Sequence, residues 1–136
     1  MFTGWNNLLE RLHALRPMDE VLVDIYLHNP DLMAFLDRLV VYRVATIERE
    51  LAAGADVIMC CDDWGTQTAP IISPELFRDV FKPRYAAMFA PIKAAGRKVF
   101  YHSCGTLGPW VSDFTSTTSP ISPASMRSLA ARKLSS

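Results

Sequence analysis

The stretch from Gly54 to Gly105 constrains the fold of this chain more than any other. A short apolar run at 57–61 is followed by a helical stretch that starts at Ser73, and a second strand candidate follows at 97–102. A strand, a crossover helix and a strand of these lengths form a βαβ unit, in which the strands are parallel and the crossover is right-handed. The sequence therefore predicts an α/β fold built around a parallel sheet.

Helices are predicted on both sides of the first strand. Asn29 can cap a long helix, Pro30 suits its first position, and Gly54 ends it. The apolar face of this helix is formed by Leu32, Leu36, Leu39, Val40, Val44, Ile47 and Leu51. The crossover should divide into two segments, 74–81 and 83–95, because Pro83 cannot continue a straight helix.

Residues 1–28 show two shorter helical patterns, which Pro17 separates. The repeating residues are Trp5, Leu8, Leu9 and Leu12 in the first pattern, and Val21, Leu22, Ile25 and Tyr26 in the second. The sequence therefore predicts two short helices before the long helix.

Composition limits the class of protein. Half of the residues are hydrophobic, which is enough to build a core over residues 1–113. Residues 114–136 are rich in Ser, Thr and Pro and carry three basic but no acidic residues, so we expect a disordered tail. Three basic residues without interleaved aromatic side chains do not predict nucleic-acid binding. No apolar run reaches the roughly 18 residues of a membrane span.

The cysteines indicate a reducing compartment. Two of the three cysteines are adjacent, and an odd number cannot form a disulfide framework. The first 30 residues hold acids and a proline and do not predict a signal peptide. We therefore expect a cytoplasmic protein.

Polar side chains follow the first strand of the βαβ unit, where parallel α/β folds place their chemistry. Asp62 and Asp63 are consecutive, so in extended backbone they point to opposite sides. One of them should face the site and the other should cap the loop, although both could simply form the turn. Trp64 and Gln67 add an aromatic ring and an amide that suit a ligand-facing loop.

His102 and Cys104 follow the second strand and project from the same face, because they are two residues apart. Imidazole and thiolate are both zinc ligands, but zinc requires a third protein ligand even in a catalytic site. Cys61 and Asp63, at the neighbouring strand end, are the local candidates. The alternative is a packed cysteine beside a hydrogen-bonded histidine.

Four motifs, taken in order, resemble the uroporphyrinogen decarboxylase superfamily. They are Asp62-Asp63-Trp64-Gly65, Ile72-Ser73-Pro74-Glu75-Leu76-Phe77, Lys82-Pro83-Arg84-Tyr85 and His102-Ser103-Cys104-Gly105. The resemblance extends from about Gly4 to Trp110. It implies a fragment of a (β/α)8 TIM barrel, with about two parallel strands and their flanking helices.

The superfamily has two branches, and the resemblance implies a different site for each. Decarboxylases remove acetate carboxyl groups from uroporphyrinogen in haem biosynthesis and use no metal or organic cofactor. In that branch Asp62 or Asp63 would be catalytic, and Trp64, Gln67 and His102 would contact the tetrapyrrole. The decarboxylases' N-terminal arginine and aspartate motifs are not found in this sequence.

The second branch comprises zinc-dependent methyltransferases, which move a methyl group from a corrinoid protein to a thiol. His102 and Cys104 match the first two zinc ligands of these enzymes. Their remaining cysteine lies far downstream and has no counterpart here, so the metal site is incomplete.

Three hypotheses follow for function. We favour a decarboxylase-like parent enzyme, because the metal site is unfinished, and we expect the isolated chain to be inactive. The second hypothesis is the zinc methyltransferase. The third is a non-enzymatic, truncated or frameshifted product, consisting of a partial barrel domain at 1–113 and a tail at 114–136. Such a product could self-associate through its open sheet edges.

Overall fold

The computed structural model describes residues 2–110, 112 and 113. Its elements are, in chain order, β1 (Phe2–Asn6), α1 (Leu9–His13), α2 (Met18–Tyr26), α3 (Pro30–Ala52), β2 (Val57–Cys61), α4 (Pro74–Leu76), a π-helical segment (Phe77–Phe81), α5 (Lys82–Ala94), β3 (Lys98–His102) and a 3₁₀ turn (Gly108–Trp110). The strands form one parallel sheet in the order β1-β2-β3. This architecture confirms the predicted α/β class.

Strand β1 corrects the assignment of Trp5 to the first helical pattern. Trp5 lies in this strand, and α1 does not begin until Leu9. The strand pairs with β2, Phe2 opposite Val57, so its backbone partners come from a segment more than 50 residues away. Local periodicity cannot report such a pairing, because strand formation depends strongly on tertiary context. The described sheet consequently has three strands rather than about two.

Helix α3 begins and ends where its sequence predicts. The Asn29 side chain accepts hydrogen bonds from the backbone N–H of Asp31 at 3.0 Å and of Leu32 at 3.3 Å. Gly54 follows the helix with a φ of 87°, in the left-handed region that glycine adopts without strain. Leu36 and Ile47 are fully buried and form part of the core under the sheet.

The crossover also divides near Pro83, as predicted. Ser73 caps α4, since its hydroxyl accepts a hydrogen bond from the Leu76 N–H at 3.2 Å. The π-helical segment Phe77–Phe81 then precedes α5, whose first turn holds Pro83. Proline donates no hydrogen bond and crowds the preceding turn, so a wider turn directly before it relieves both problems.

An aromatic cluster fixes the crossover against the end of β2. Trp64, Phe77, Phe81, Tyr85 and Trp110 are all fully or almost fully buried. The rings of Trp64 and Phe81 lie 4.6 Å apart, and those of Phe77 and Trp110 lie 4.5 Å apart. The cluster therefore ties the loop after β2 to the 3₁₀ turn after β3.

Two further findings concern the predictions about membrane spans and about the C-terminal tail. None of the helices in the described part of the chain is long and apolar enough to cross a membrane. The tail at 114–136, for which we predicted disorder, lies outside the described residues.

Candidate metal centre

The register of the sheet brings the predicted site residues together. Cys61 on β2 lies opposite His102 on β3, at the carboxyl ends of both strands. Neighbouring residues in register share a face of the sheet, and strands are about 4.8 Å apart. Asp63 and Cys104 each lie two residues further along, which places them on the same side. We call Cys61, Asp63, His102 and Cys104 the edge cluster.

Three of the four residues of the edge cluster place their potential ligand atoms close to one another, and Cys104 lies beside His102. Potential ligand atoms of Cys61, Asp63 and His102 are all within 4.8 Å of each other. His102 Nε2 is 3.3 Å from Cys104 Sγ and 3.9 Å from Asp63 Oδ1. Cys61 is buried, whereas the other three side chains are exposed or half-exposed. The cluster therefore has a buried floor and an open rim.

This geometry fits a zinc ion. Ligand atoms around tetrahedral zinc are about 3.5 Å apart, given Zn–N and Zn–S bonds of about 2.0–2.3 Å. The pair formed by His102 and Cys104 is already at this spacing, at 3.3 Å. The largest separation among Cys61, Asp63 and His102 is at most 4.8 Å, so they need to approach by about 1 Å. Thiolate and imidazole donors are those that zinc prefers.

The electrostatics of the cluster keep both thiols protonated. A hydrogen bond to Asp63, together with its negative charge, raises the pKa of the Cys104 thiol. Burial raises the pKa of Cys61 to about 12, and the charges of Glu10 and Asp63 act in the same direction. A coordinated divalent cation has the opposite effect, because it deprotonates a ligating thiol.

The loops after β2 and β3 are in direct backbone contact, which fixes Cys104 beside Asp63. The Cys104 N–H donates to Asp63 Oδ1 at 2.7 Å, and the Gly65 N–H donates to the Cys104 carbonyl at 3.2 Å. A Cβ added at Gly65 would lie 2.5 Å from the carbonyl carbon of Gly105. Only glycine allows this approach, so the rim of the cluster is preorganised.

Asp62 points to the opposite side and is fully buried. Its carboxylate accepts the backbone N–H of Leu8 at 2.6 Å and of Glu10 at 2.7 Å, as well as the hydroxyl of Tyr85. Because α1 has no capping side chain of its own, Asp62 caps it from 52 to 54 residues away. Burial raises the pKa of Asp62 to about 7, although these hydrogen bonds favour its charged form. Asp62 therefore suits a positioning role better than direct contact with a substrate.

Trp64 and Gln67 lie outside the edge cluster. The Trp64 ring is buried in the aromatic cluster, and its Nε1–H donates to the hydroxyls of Tyr101 at 2.9 Å and Tyr85 at 3.2 Å. Gln67 is exposed in the loop, and its backbone carbonyl accepts the Thr106 hydroxyl at 3.0 Å. Their predicted contact with a ligand stays a prediction.

Sequence reasoning missed three polar residues behind the cluster. Glu10 Oε1 lies 3.8 Å from Cys61 Sγ, and its other oxygen accepts the Asn7 side chain at 3.0 Å. Asn7 in turn accepts a hydrogen bond from Arg43 at 2.9 Å. Arg43 could have been found, because it lies seven residues after Leu36 and is therefore a cation on the apolar face of α3.

Comparison with known families identifies the class of the chain. By its fold the chain belongs to the parallel α/β class, and polar side chains meet at the carboxyl edge of its sheet. The sequence model described as uroporphyrinogen decarboxylase (URO-D) matches residues 14–129. The chain therefore belongs to the uroporphyrinogen decarboxylase family, which confirms the resemblance of its motifs. No curated protein and no solved structure matched it.

Proposed function

We propose that this chain is part of a (β/α)8 barrel that binds zinc at the edge cluster and activates a thiol for methyl transfer from a corrinoid protein. The edge cluster itself supports the proposal most strongly. His102 and Cys104 lie at zinc-ligand spacing, and Cys61 and Asp63 from the neighbouring strand end lie within reach. The sequence alone had left this site without a third ligand.

The arrangement of the cluster suits thiol activation. Zinc bound there would act as a Lewis acid that lowers the pKa of an acceptor thiol. His102 and Cys104 would hold the ion at the open rim, where a thiol can approach from solvent. Asp63 fixes the position of Cys104 through the Cys104 N–H. The chain's own residues would thus hold the zinc ion, and the corrinoid partner would supply the methyl group.

Decarboxylation is the second candidate, because the description of the matching family model names that activity. In this alternative the half-exposed Asp63 would contact the tetrapyrrole at the strand ends, and Asp62 would act from behind. A fixed carboxylate near the reacting carbon could donate or accept a proton. No metal takes part in this chemistry, so zinc binding separates the two candidates.

Zinc content and affinity of the complete 136-residue chain test the proposal. We expect stoichiometric zinc in the wild-type chain, and competition with a chromophoric chelator gives its affinity. His102→Ala and Cys104→Ala should each lose the metal. His28→Ala is the matched control, because His28 pairs with Asp79 at 2.7 Å, away from the edge cluster. A wild-type chain without zinc affinity would contradict the proposal and favour the decarboxylase.

A further inference from the structure

We propose that the groove between α2 and the start of the crossover is a second binding site, and that it takes a small organic cation with an apolar body, such as an aryl amine. The groove has a volume of about 570 Å³. Ligand pockets in proteins typically enclose about 300–1,000 Å³ and combine an apolar lining with a few polar groups. None of the four residues of the edge cluster lines this groove, so the two sites are separate.

The floor and one wall of the groove are apolar. They are formed by side chains of α2, of the loop after β2 and of α4, namely Leu22, Tyr26, Ile71, Ile72 and Leu76. Leu22, Ile72 and Leu76 are half-buried and pack against the core. A ligand body that covers these side chains would remove apolar surface from water, which favours binding. The ring of Tyr26 is 74% exposed and offers an aromatic face of the kind that attracts cations.

The rim of the groove is negatively charged. Glu75 and Asp79 line it, are both exposed, and follow one another at the spacing of one helical turn. Among the described residues, no lysine or arginine lines the groove. The two carboxylates therefore outnumber the positive charge at the rim even when the lining histidine, His28, is protonated. This excess favours a cation and disfavours an anion.

The pair formed by His28 and Asp79 joins the two sides of the groove. His28 Nε2 lies 2.7 Å from Asp79 Oδ2. The other carboxylate oxygen, Asp79 Oδ1, accepts no hydrogen bond within the described part of the chain. It is consequently placed to accept one from a ligand's ammonium group.

The backbone at His28 indicates that the imidazole is what this position contributes. His28 has a φ of 50°, and every other described residue with a positive φ is a glycine. It follows α2 where glycine commonly ends a helix, and the Asn29 N–H closes the turn on the Asp24 carbonyl at 2.9 Å. Glycine would adopt this conformation at lower cost, so the backbone alone does not account for a histidine here.

Hydrogen bonds also hold the opposite wall. The Ile71 N–H donates to the Trp64 carbonyl at 2.8 Å, which ties the loop to the buried aromatic cluster. The Ser73 hydroxyl accepts the Leu76 N–H at 3.2 Å and thereby fixes the start of α4. A pocket that is already formed loses less conformational entropy when a ligand binds.

Three probes of similar size and different charge test the proposal on the complete chain. They are phenethylamine, phenethyl alcohol and phenylpropanoate, and their binding is followed by amide NMR shifts of the isotope-labelled protein. The amine should bind about fivefold more tightly than the alcohol, which is the gain that a half-exposed ion pair provides. The carboxylate should bind more weakly than the alcohol. The shifts should centre on Leu22, Ile72 and Leu76.

Variants of the rim locate the charge that the amine recognises. Asp79→Asn should reduce the preference for the amine to about twofold, and the double variant Glu75→Gln/Asp79→Asn should abolish it. The affinity for the alcohol should stay at the wild-type value in both, because the apolar floor is unchanged. Asp19→Asn is the matched control, since Asp19 is an exposed carboxylate at the other end of α2 and does not line the groove. It should keep the wild-type preference.

Several results would overturn the proposal. They are a wild-type chain that binds none of the probes, equal affinities for all three, shifts that centre away from the groove, and a double variant that still prefers the amine. Zinc affinity should be the same in Asp79→Asn as in wild type. The zinc site and the amine site are therefore tested independently.

Discussion

Replacing Asp62 with alanine should destabilise the chain far more than the same change at Asp63. The change leaves the buried Leu8 N–H and the part-buried Glu10 N–H without their acceptor, and it removes the hydrogen bond that the Tyr85 hydroxyl donates. An unsatisfied buried donor costs about 1–3 kcal/mol, so the three together should cost about 3–6 kcal/mol. Total stabilities are about 5–15 kcal/mol, so this single carboxyl would account for a large share.

Asp63 is the matched control, because it is the adjacent carboxylate on the same strand end. Its side chain is 43% exposed, and water can replace it at the exposed Cys104 N–H. Asp63→Ala should therefore cost less than about 1 kcal/mol. Tyr85→Phe should fall between the two, at about 1–2 kcal/mol, because it removes the hydroxyl's hydrogen bonds to Asp62, Trp64 and Tyr101. It leaves both backbone bonds of Asp62 in place.

Urea unfolding followed by tryptophan fluorescence measures these differences. Trp64 and Trp110 are fully buried and should report the loss of the core. The experiment is best done near pH 4, close to the ordinary pKa of an aspartate of 3.8, where taking up a proton at Asp62 on folding costs less than about 1 kcal/mol and its removal offsets little of the loss. Equal costs at Asp62 and Asp63, or a cost below about 1 kcal/mol at Asp62, would refute the assignment of Asp62 as the cap of α1.

Two further predictions follow from the same region. The pKa of Asp62 is about 7 in the folded chain, against an ordinary value of 3.8. Between these values the folded chain retains a proton that the unfolded chain has released. The free energy of unfolding should therefore fall by about 2 kcal/mol as pH rises from about 5.5 to 8. Urea midpoints across this range should show that slope in wild type and lack it in Asp62→Asn; equal slopes would contradict it. Gly65→Ala should cost about 1–3 kcal/mol and weaken zinc binding, because its Cβ would lie 2.5 Å from the Gly105 backbone. Gly108→Ala, where a Cβ meets nothing within 4 Å, should change neither quantity, and a Gly65→Ala chain that behaves the same way would show that the loops can separate freely.

The fold could be predicted wherever local signals and tertiary contacts agree. Helix α3 has its cap at Asn29 and its stop at Gly54, and the structure uses both. Strands β2 and β3 were also predictable, because a βαβ unit allows only one arrangement. Strand β1 was not predictable, since its pairing with Val57 is non-local and the apolar pattern around Trp5 is equally compatible with a helix.

The sequence predicts the residues of the site only where the alternation of side chains along a strand determines which side they face. Alternation correctly sends Asp62 and Asp63 to opposite sides, and His102 and Cys104 to one side. It cannot show that α1 folds back over the sheet and brings Glu10 to within 3.8 Å of Cys61. That contact depends on a cap supplied by Asp62 from a distant segment, and no window of sequence contains both.

The buried polar network around Asp62 is explained better by the position it gives to α1 than by a gain in the free energy of unfolding. The raised pKa of Asp62 means that burying this carboxylate costs free energy, even with three donors around it. Replacing a buried polar network with apolar side chains is often neutral or stabilising, so stability alone is a weak reason for such a network. An apolar residue at position 62 would, however, leave the Leu8 and Glu10 amides without acceptors and release the start of α1. Glu10 would then lose its place beside Cys61. The buried Asp62 carboxylate thus determines where the start of α1 lies relative to the edge cluster.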